Sequence, residues 1–156
     1  MTSPESSDRY VKPGWFTQHI FNRLVELLTS VGISVWGSRT LWLRGRSSGE
    51  WRSNPVNLLT LKGENYLVAP RGETQWVRNL RASGGGELRV GRKVQSFVAT
   101  EVEDAEKTDV LRAYLKRWKF EVGVFFDGVS ATSPTADLDR IGPSHPVFRL
   151  AFTTAP

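Results

Sequence analysis

Arg46, Ser47, Ser48 and Arg52 crowd into one short stretch between Gly45 and Pro55. Guanidinium groups are permanently charged, forked donors that match phosphate and carboxylate geometry. Two serine hydroxyls beside them add neutral donors. Gly45 and Gly49 let the backbone take shapes that other residues resist. Strand-like residues precede the stretch (Leu41-Trp42-Leu43-Arg44) and follow it (Pro55 to Leu61). The pattern reads as an anion grip on the rim of a sheet. On these residues alone a plainer alternative stays open, a surface hairpin whose arginines are solvated.

Other chemistries find less support. Gly45-Arg46-Ser47-Ser48-Gly49 matches G-x-S-x-G letter for letter, but a nucleophile elbow needs a helix after the serine. Here Pro55 biases Asn54 toward extended backbone. The histidines are His19 and His145, and no H-E-x-x-H or comparable spacing is present, so no metal is expected. Cysteine is absent, which removes disulfides and thiolate catalysis and fits a reducing cytoplasm. Gly84-Gly85-Gly86 lacks the spacing of a dinucleotide fingerprint. The formal charge of +5 favours anionic partners. Arg78, Arg81, Arg89, Arg92 and Lys93 could form a basic patch, but aromatics are not interleaved with them, so nucleic acid is not expected.

The elements that must position the grip follow from periodicity. Residues 1–12 are polar and read as a flexible tail; 13–156 suit a single domain. A helix is expected from Pro13, with Phe16, Ile20, Leu24, Leu27, Leu28 and Val31 on one side and a stop at Gly32. It caps the core or, alternatively, touches a membrane surface. Strands are expected at Thr40–Arg44, Pro55–Leu61 and Tyr66–Ala69, then a helix over 73–82 broken at Ser83-Gly84-Gly85-Gly86. A hairpin of Glu87–Val90 and Val94–Val102 follows, then a helix capped by Asp104 and running to about Lys119, with Val110, Leu111, Tyr114, Leu115 and Trp118 as its stripe. Residues 120–145 read as loop and Pro146–Phe152 as a closing strand. Hairpin-grouped strands with flanking helices imply an α+β fold, an antiparallel sheet or small barrel. No signal peptide or spanning segment is evident, so a cytoplasmic protein is expected, with membrane association left open through the first helix.

The run Gly45-Arg46-Ser47-Ser48-Gly49-Glu50-Trp51-Arg52-Ser53-Asn54-Pro55 resembles the G-R-K-S-G-x-x-R-x-x-P motif of the deazaflavin (F420)-dependent nitroreductase family of actinobacteria. Ala69-Pro70-Arg71-Gly72 and Trp76-Val77-Arg78-Asn79-Leu80-Arg81-Ala82 resemble its second and third signatures, in order and at family spacing. The resemblance implies a split β-barrel related to flavin-mononucleotide-binding proteins, and coenzyme F420 as the cofactor. It implies that Arg46, Ser48, Arg52 and Arg71 hold the anionic tail. Asn54, Pro55 and Val56 would lie along the ring, Trp76 and Asn79 would complete the pocket, and Ser47, Pro70, Gly72 and Gln75 would also bind the cofactor.

The implied activity is hydride transfer from reduced deazaflavin to a hydrophobic, electron-poor small molecule: a quinone, an enone or a nitro compound. No catalytic side chain or proton donor is identified. Ser47 stands where the family carries lysine, which removes one tail-binding charge. Trp118, Phe120, Phe125 and Phe126 are the candidate acceptor-binding residues, with core packing as their plain alternative. Two other readings remain: a non-catalytic member holding a lipid or other hydrophobic ligand, and an FMN-dependent oxidoreductase. A homodimer is left open.

Overall fold

The computed structural model describes residues 38–153, apart from the side chains of residues 38 and 119–124. The expected tail at 1–12, the helix beginning at Pro13 and the membrane contact attached to it lie outside the described residues.

Six strands close an antiparallel barrel: β1 (Ser38–Arg44), β2 (Trp51–Leu61), β3 (Glu64–Val68), β4 (Gly85–Val90), β5 (Lys93–Glu101) and β6 (Val147–Phe152). Around the barrel their order is β1-β2-β3-β6-β5-β4. The fold is the expected α+β split barrel. β2 is long because it serves two partners. Trp51 to Asn57 pair with β1, and Leu58 to Leu61 pair with β3. The barrel closes where Thr40, Leu41 and Trp42 pair with Arg89, Leu88 and Glu87. That closure requires Gly86: a Cβ there would stand 2.5 Å from Leu43 Cδ2 and 2.6 Å from the Trp42 carbonyl oxygen.

Side-chain alternation along the strands divides the core in two. Leu41, Leu43, Leu67, Leu88, Phe97, Phe148 and Leu150 fill the barrel, joined by Val77 and Leu80 from helix α1 (Gln75–Ser83). Their neighbours Leu59, Val68 and Val147 face outward and are covered by helix α2 (Thr108–Val122) and helix α3 (Thr135–Ile141). The stripe Val110, Leu111, Tyr114, Leu115 and Trp118 is buried in that outer layer. Each such side chain contributes about 1.5–3 kcal/mol on leaving water.

Three local expectations need correction. β2 begins at Trp51 rather than Pro55, because Arg44 to Ser38 supply an antiparallel partner for Trp51 to Asn57. Asp104 does not cap α2. It opens a short 3-10 turn, and Lys107 then sits buried with Nζ 2.8 Å from Asp104 Oδ1 and 2.8 Å from the Gly142 carbonyl oxygen. Residues 120–145 are not mainly loop. α2 continues to Val122 with non-helical backbone at Trp118, and α3 follows Pro134, placing Leu138 and Ile141 on its buried side.

Candidate functional site

The β1–β2 connection is a hydrogen-bonded loop. Gly45 N–H donates to the Glu50 carbonyl (2.8 Å), and Gly49 N–H donates to the Gly45 carbonyl (2.9 Å). Ser48 Oγ accepts from Glu50 N–H at 3.1 Å. Arg44 braces the outside: its NH1 reaches the Gly49 carbonyl oxygen (3.0 Å), and its guanidinium lies 4.3 Å from the centroid of the exposed Trp51 ring. Sequence reasoning left Arg44 unassigned. Its register opposite Trp51 across the hairpin is the signal that would have found it.

Strand register sorts the β2 candidates. Arg52, Asn54 and Val56 pair with Leu43, Leu41 and Arg39, so they share the barrel-facing side. Along that side burial fades toward the rim: Leu41 and Leu43 are 1% exposed, Val56 is half-buried, and Asn54 and Arg52 are exposed. The packed core face thus gives way to an exposed polar rim. Pro55 falls on the other face, opposite Thr40, and has no amide to offer. Gly45 lines the same rim. A Cβ there would meet Ser48 Oγ at 2.9 Å, Arg52 Nε at 3.3 Å and the Glu50 carbonyl oxygen at 3.5 Å, so the absent side chain leaves a small cradle lined by a hydroxyl, a guanidinium and a carbonyl already occupied by Gly45 N–H.

α1 packs against β1 and β4 and reaches the β1–β2 loop. Its Asn79 is only 5% exposed, yet its amide oxygen accepts from both Arg46 N–H (3.1 Å) and Arg46 NH1 (2.8 Å). Gln75 Oε1 accepts from the same NH1 at 2.9 Å. Arg46 is therefore oriented by the helix rather than waving in solvent. Trp76 packs toward the barrel, 6.2 Å from the Phe148 ring. The structure joins Arg46 to Gln75 and Asn79 and sets Ser48 and Arg52 around the neighbouring Gly45; Ser47 is exposed on the loop.

The second basic turn is built differently. Gly72 takes a left-handed φ of 85° and donates to the Ala69 carbonyl at 3.3 Å, with Pro70 and Arg71 half-buried between them. The Arg71 guanidinium lies 6.0 Å from the Phe125 ring centroid. Ala69 N–H donates to the Pro146 carbonyl, and His145 Nδ1 stands 3.2 Å from the Ala69 carbonyl oxygen while stacking on Phe126 at 4.1 Å. His145 is thus a buried brace for this turn, which its sequence context did not suggest.

Three of the four aromatic candidates are buried. Trp118 and Phe126 are 0% exposed and Phe125 is 7% exposed. Tyr114 packs on Trp118 at 5.0 Å and on Phe126 at 6.2 Å. The Phe120 side chain is outside the described residues. Nearby, burial and then the like charge of Arg117 hold the Arg39 guanidinium below its ordinary pKa. Among the described residues no metal-holding cluster of His, Asp or Glu occurs, and no helix is long and apolar enough to cross a membrane.

The donor set suits a coenzyme with an anionic tail. The Ser48 hydroxyl and the Arg52 guanidinium flank the Gly45 cradle, and Asn54 and Val56 follow along the barrel-facing side of β2. Comparison with known proteins bears on the same point. No curated protein matches the chain. Among solved structures, one described as a domain-swapped dimer aligns with a TM-score of 0.53 at 19% identity, covering 88% of this chain and 97% of its own. An F420-H2 dependent reductase, FDR-A, aligns with a TM-score of 0.51 at 19% identity over 74% of this chain and 94% of its own. A protein of unknown function from Agrobacterium tumefaciens aligns with a TM-score of 0.54 at 12% identity, covering 85% of this chain and 55% of its own. These likenesses establish the split-barrel fold. The F420H(2)-dependent quinone reductase family matches residues 22–123, well over half the sequence, and the chain belongs to that family of oxidoreductases.

Proposed function

We propose that this chain holds F420H2 in the groove between β2 and α1 and reduces a hydrophobic, electron-poor acceptor, a quinone first among them. The observation that carries this reading is the Gly45 cradle, ringed by Ser48 Oγ and Arg52 Nε and faced by an Arg46 fixed on Asn79. When bound, the coenzyme supplies a hydride. The chain's own residues bind and orient. Arg46, Arg52 and Arg71 would make charge-assisted bonds to the tail, stronger than neutral ones. Ser48 Oγ would add a neutral contact. Asn54 and Val56 would set the ring against the barrel rim, and Trp76 would shield it from water. Ser47, lacking the charge of a lysine, would add only a hydroxyl.

Fluorescence titration with purified F420 beside FMN tests the reading. Binding of F420 tighter than about 100 μM, roughly −5.5 kcal/mol, is expected, with FMN weaker. Arg52→Ala is expected to weaken F420 binding by about tenfold, roughly 1.4 kcal/mol, with the thermal midpoint unchanged. Binding of neither ligand would remove the proposal. FMN binding without F420 binding would replace it with a flavin enzyme on the same barrel.

A further inference from the structure

Arg81 belongs to none of the roles above. It lies on the side of α1 away from Asn79 and is held at every guanidinium nitrogen. Nε donates to Glu101 Oε1 (2.7 Å), and NH2 donates to Glu101 Oε2 (2.7 Å) and Glu73 Oε2 (2.9 Å). NH1 donates to Glu73 Oε1 at 2.6 Å. The hydrogen bonds to Glu101, then those to Glu73, hold this guanidinium above its ordinary pKa. A bidentate contact to two carboxylates at once fixes direction as well as distance.

The three residues come from three segments. Glu101 ends β5, Arg81 sits in the last turn of α1, and Glu73 lies one residue beyond Gly72 of the second basic turn. α1 has no side-chain cap at Thr74; Val77 and Leu80 seat it in the barrel. The pincer adds a directional tie from outside. It ties the helix that presents Asn79 and Gln75, and the turn that presents Arg71, to one barrel strand.

We propose that Arg81 is a positioning residue: the Glu73–Arg81–Glu101 pincer sets the rotation of α1 and the placement of the Arg71 turn, and so holds both walls of the coenzyme groove in register. The inference rests on the reading that this groove binds F420. Exposed ion pairs contribute little to stability. The effect therefore belongs in affinity more than in melting temperature.

The test is a double-mutant cycle of Arg81→Met and Asn79→Ala on the full chain, with Arg81→Lys and Glu101→Gln as milder variants. Two readouts are used: the F420 dissociation constant, and the amide resonance of Arg46 in the protein without coenzyme. Arg81→Met is expected to weaken F420 binding about fivefold to tenfold while kcat holds, and the loss is expected to shrink when Asn79 is already Ala. Arg81→Lys should rescue little, because an ammonium cannot grip two carboxylates in a plane. The Arg46 amide should shift in Arg81→Met and in Glu101→Gln. Unchanged affinity in Arg81→Met, or losses that simply add, would overturn the inference. If the wild-type chain does not bind F420, the functional reading fails by itself. The Arg46 amide then decides alone: a shift keeps the pincer as the device that positions α1, and no shift removes it.

Discussion

A methyl group on Gly45 would come within 2.9 Å of Ser48 Oγ and 3.3 Å of Arg52 Nε. Both neighbours are ends of movable side chains, so Gly45→Ala should fold. It should also push the hydroxyl and the guanidinium out of the cradle. The expected result is a rise of about tenfold in the F420 dissociation constant, roughly 1.4 kcal/mol, with the urea midpoint nearly unmoved. A variant that melts early yet binds normally would show the glycine to be structural instead. At this scale the sequence was legible in part. Arginine and serine among glycines announced an affinity for anions. That Arg46 would be locked by Asn79 could not be read, since residues far apart in the chain meet only when α1 docks on the barrel.

Gly86 shows how single elements constrain one another. β1 and β4 can pair only because nothing projects from Gly86 toward Trp42 and Leu43. The Trp42 carbonyl is backbone and cannot step aside. Gly86→Ala should cost about 1–3 kcal/mol, read as a lower urea midpoint. Coenzyme affinity should fall as well, because the Leu43 that a methyl group would displace is the cross-strand partner of Arg52. Several elements followed directly from the sequence. The stripe of α2 and the strands β1, β3 and β6 carry strong periodic signals, whereas α3 does not. Two turns of helix with one buried pair, Leu138 and Ile141, give too short a pattern to separate from the surrounding Gly, Ser and Pro. The start of β2 was hidden for another reason. Trp51 to Asn54 are polar or exposed, and only their partner strand makes them extended.

For the whole molecule, the deciding question is whether the aromatic cluster near α2 is pocket or core. Trp118 is 0% exposed and packs on Tyr114 in the layer between helices and barrel. Trp118→Ala should therefore cost about 3–5 kcal/mol in urea unfolding, with little change in KM for the acceptor among molecules that remain folded. A large KM change with intact stability would restore the pocket assignment. By itself the sequence determined the charge, the motif spacing and the strand-rich order, because these are local properties of neighbouring residues. From them an antiparallel sheet or small barrel and the basic loop could be read, and the motif resemblance implied the family and its split barrel. Only the tertiary structure decided which side of β2 faces the barrel, that Arg44 braces the β1–β2 loop while Arg81 ties α1 to Glu73 and Glu101, and that Trp118 and Phe126 are buried. Those facts depend on strand register and on long-range packing, where one residue of slip turns a side chain from core to solvent.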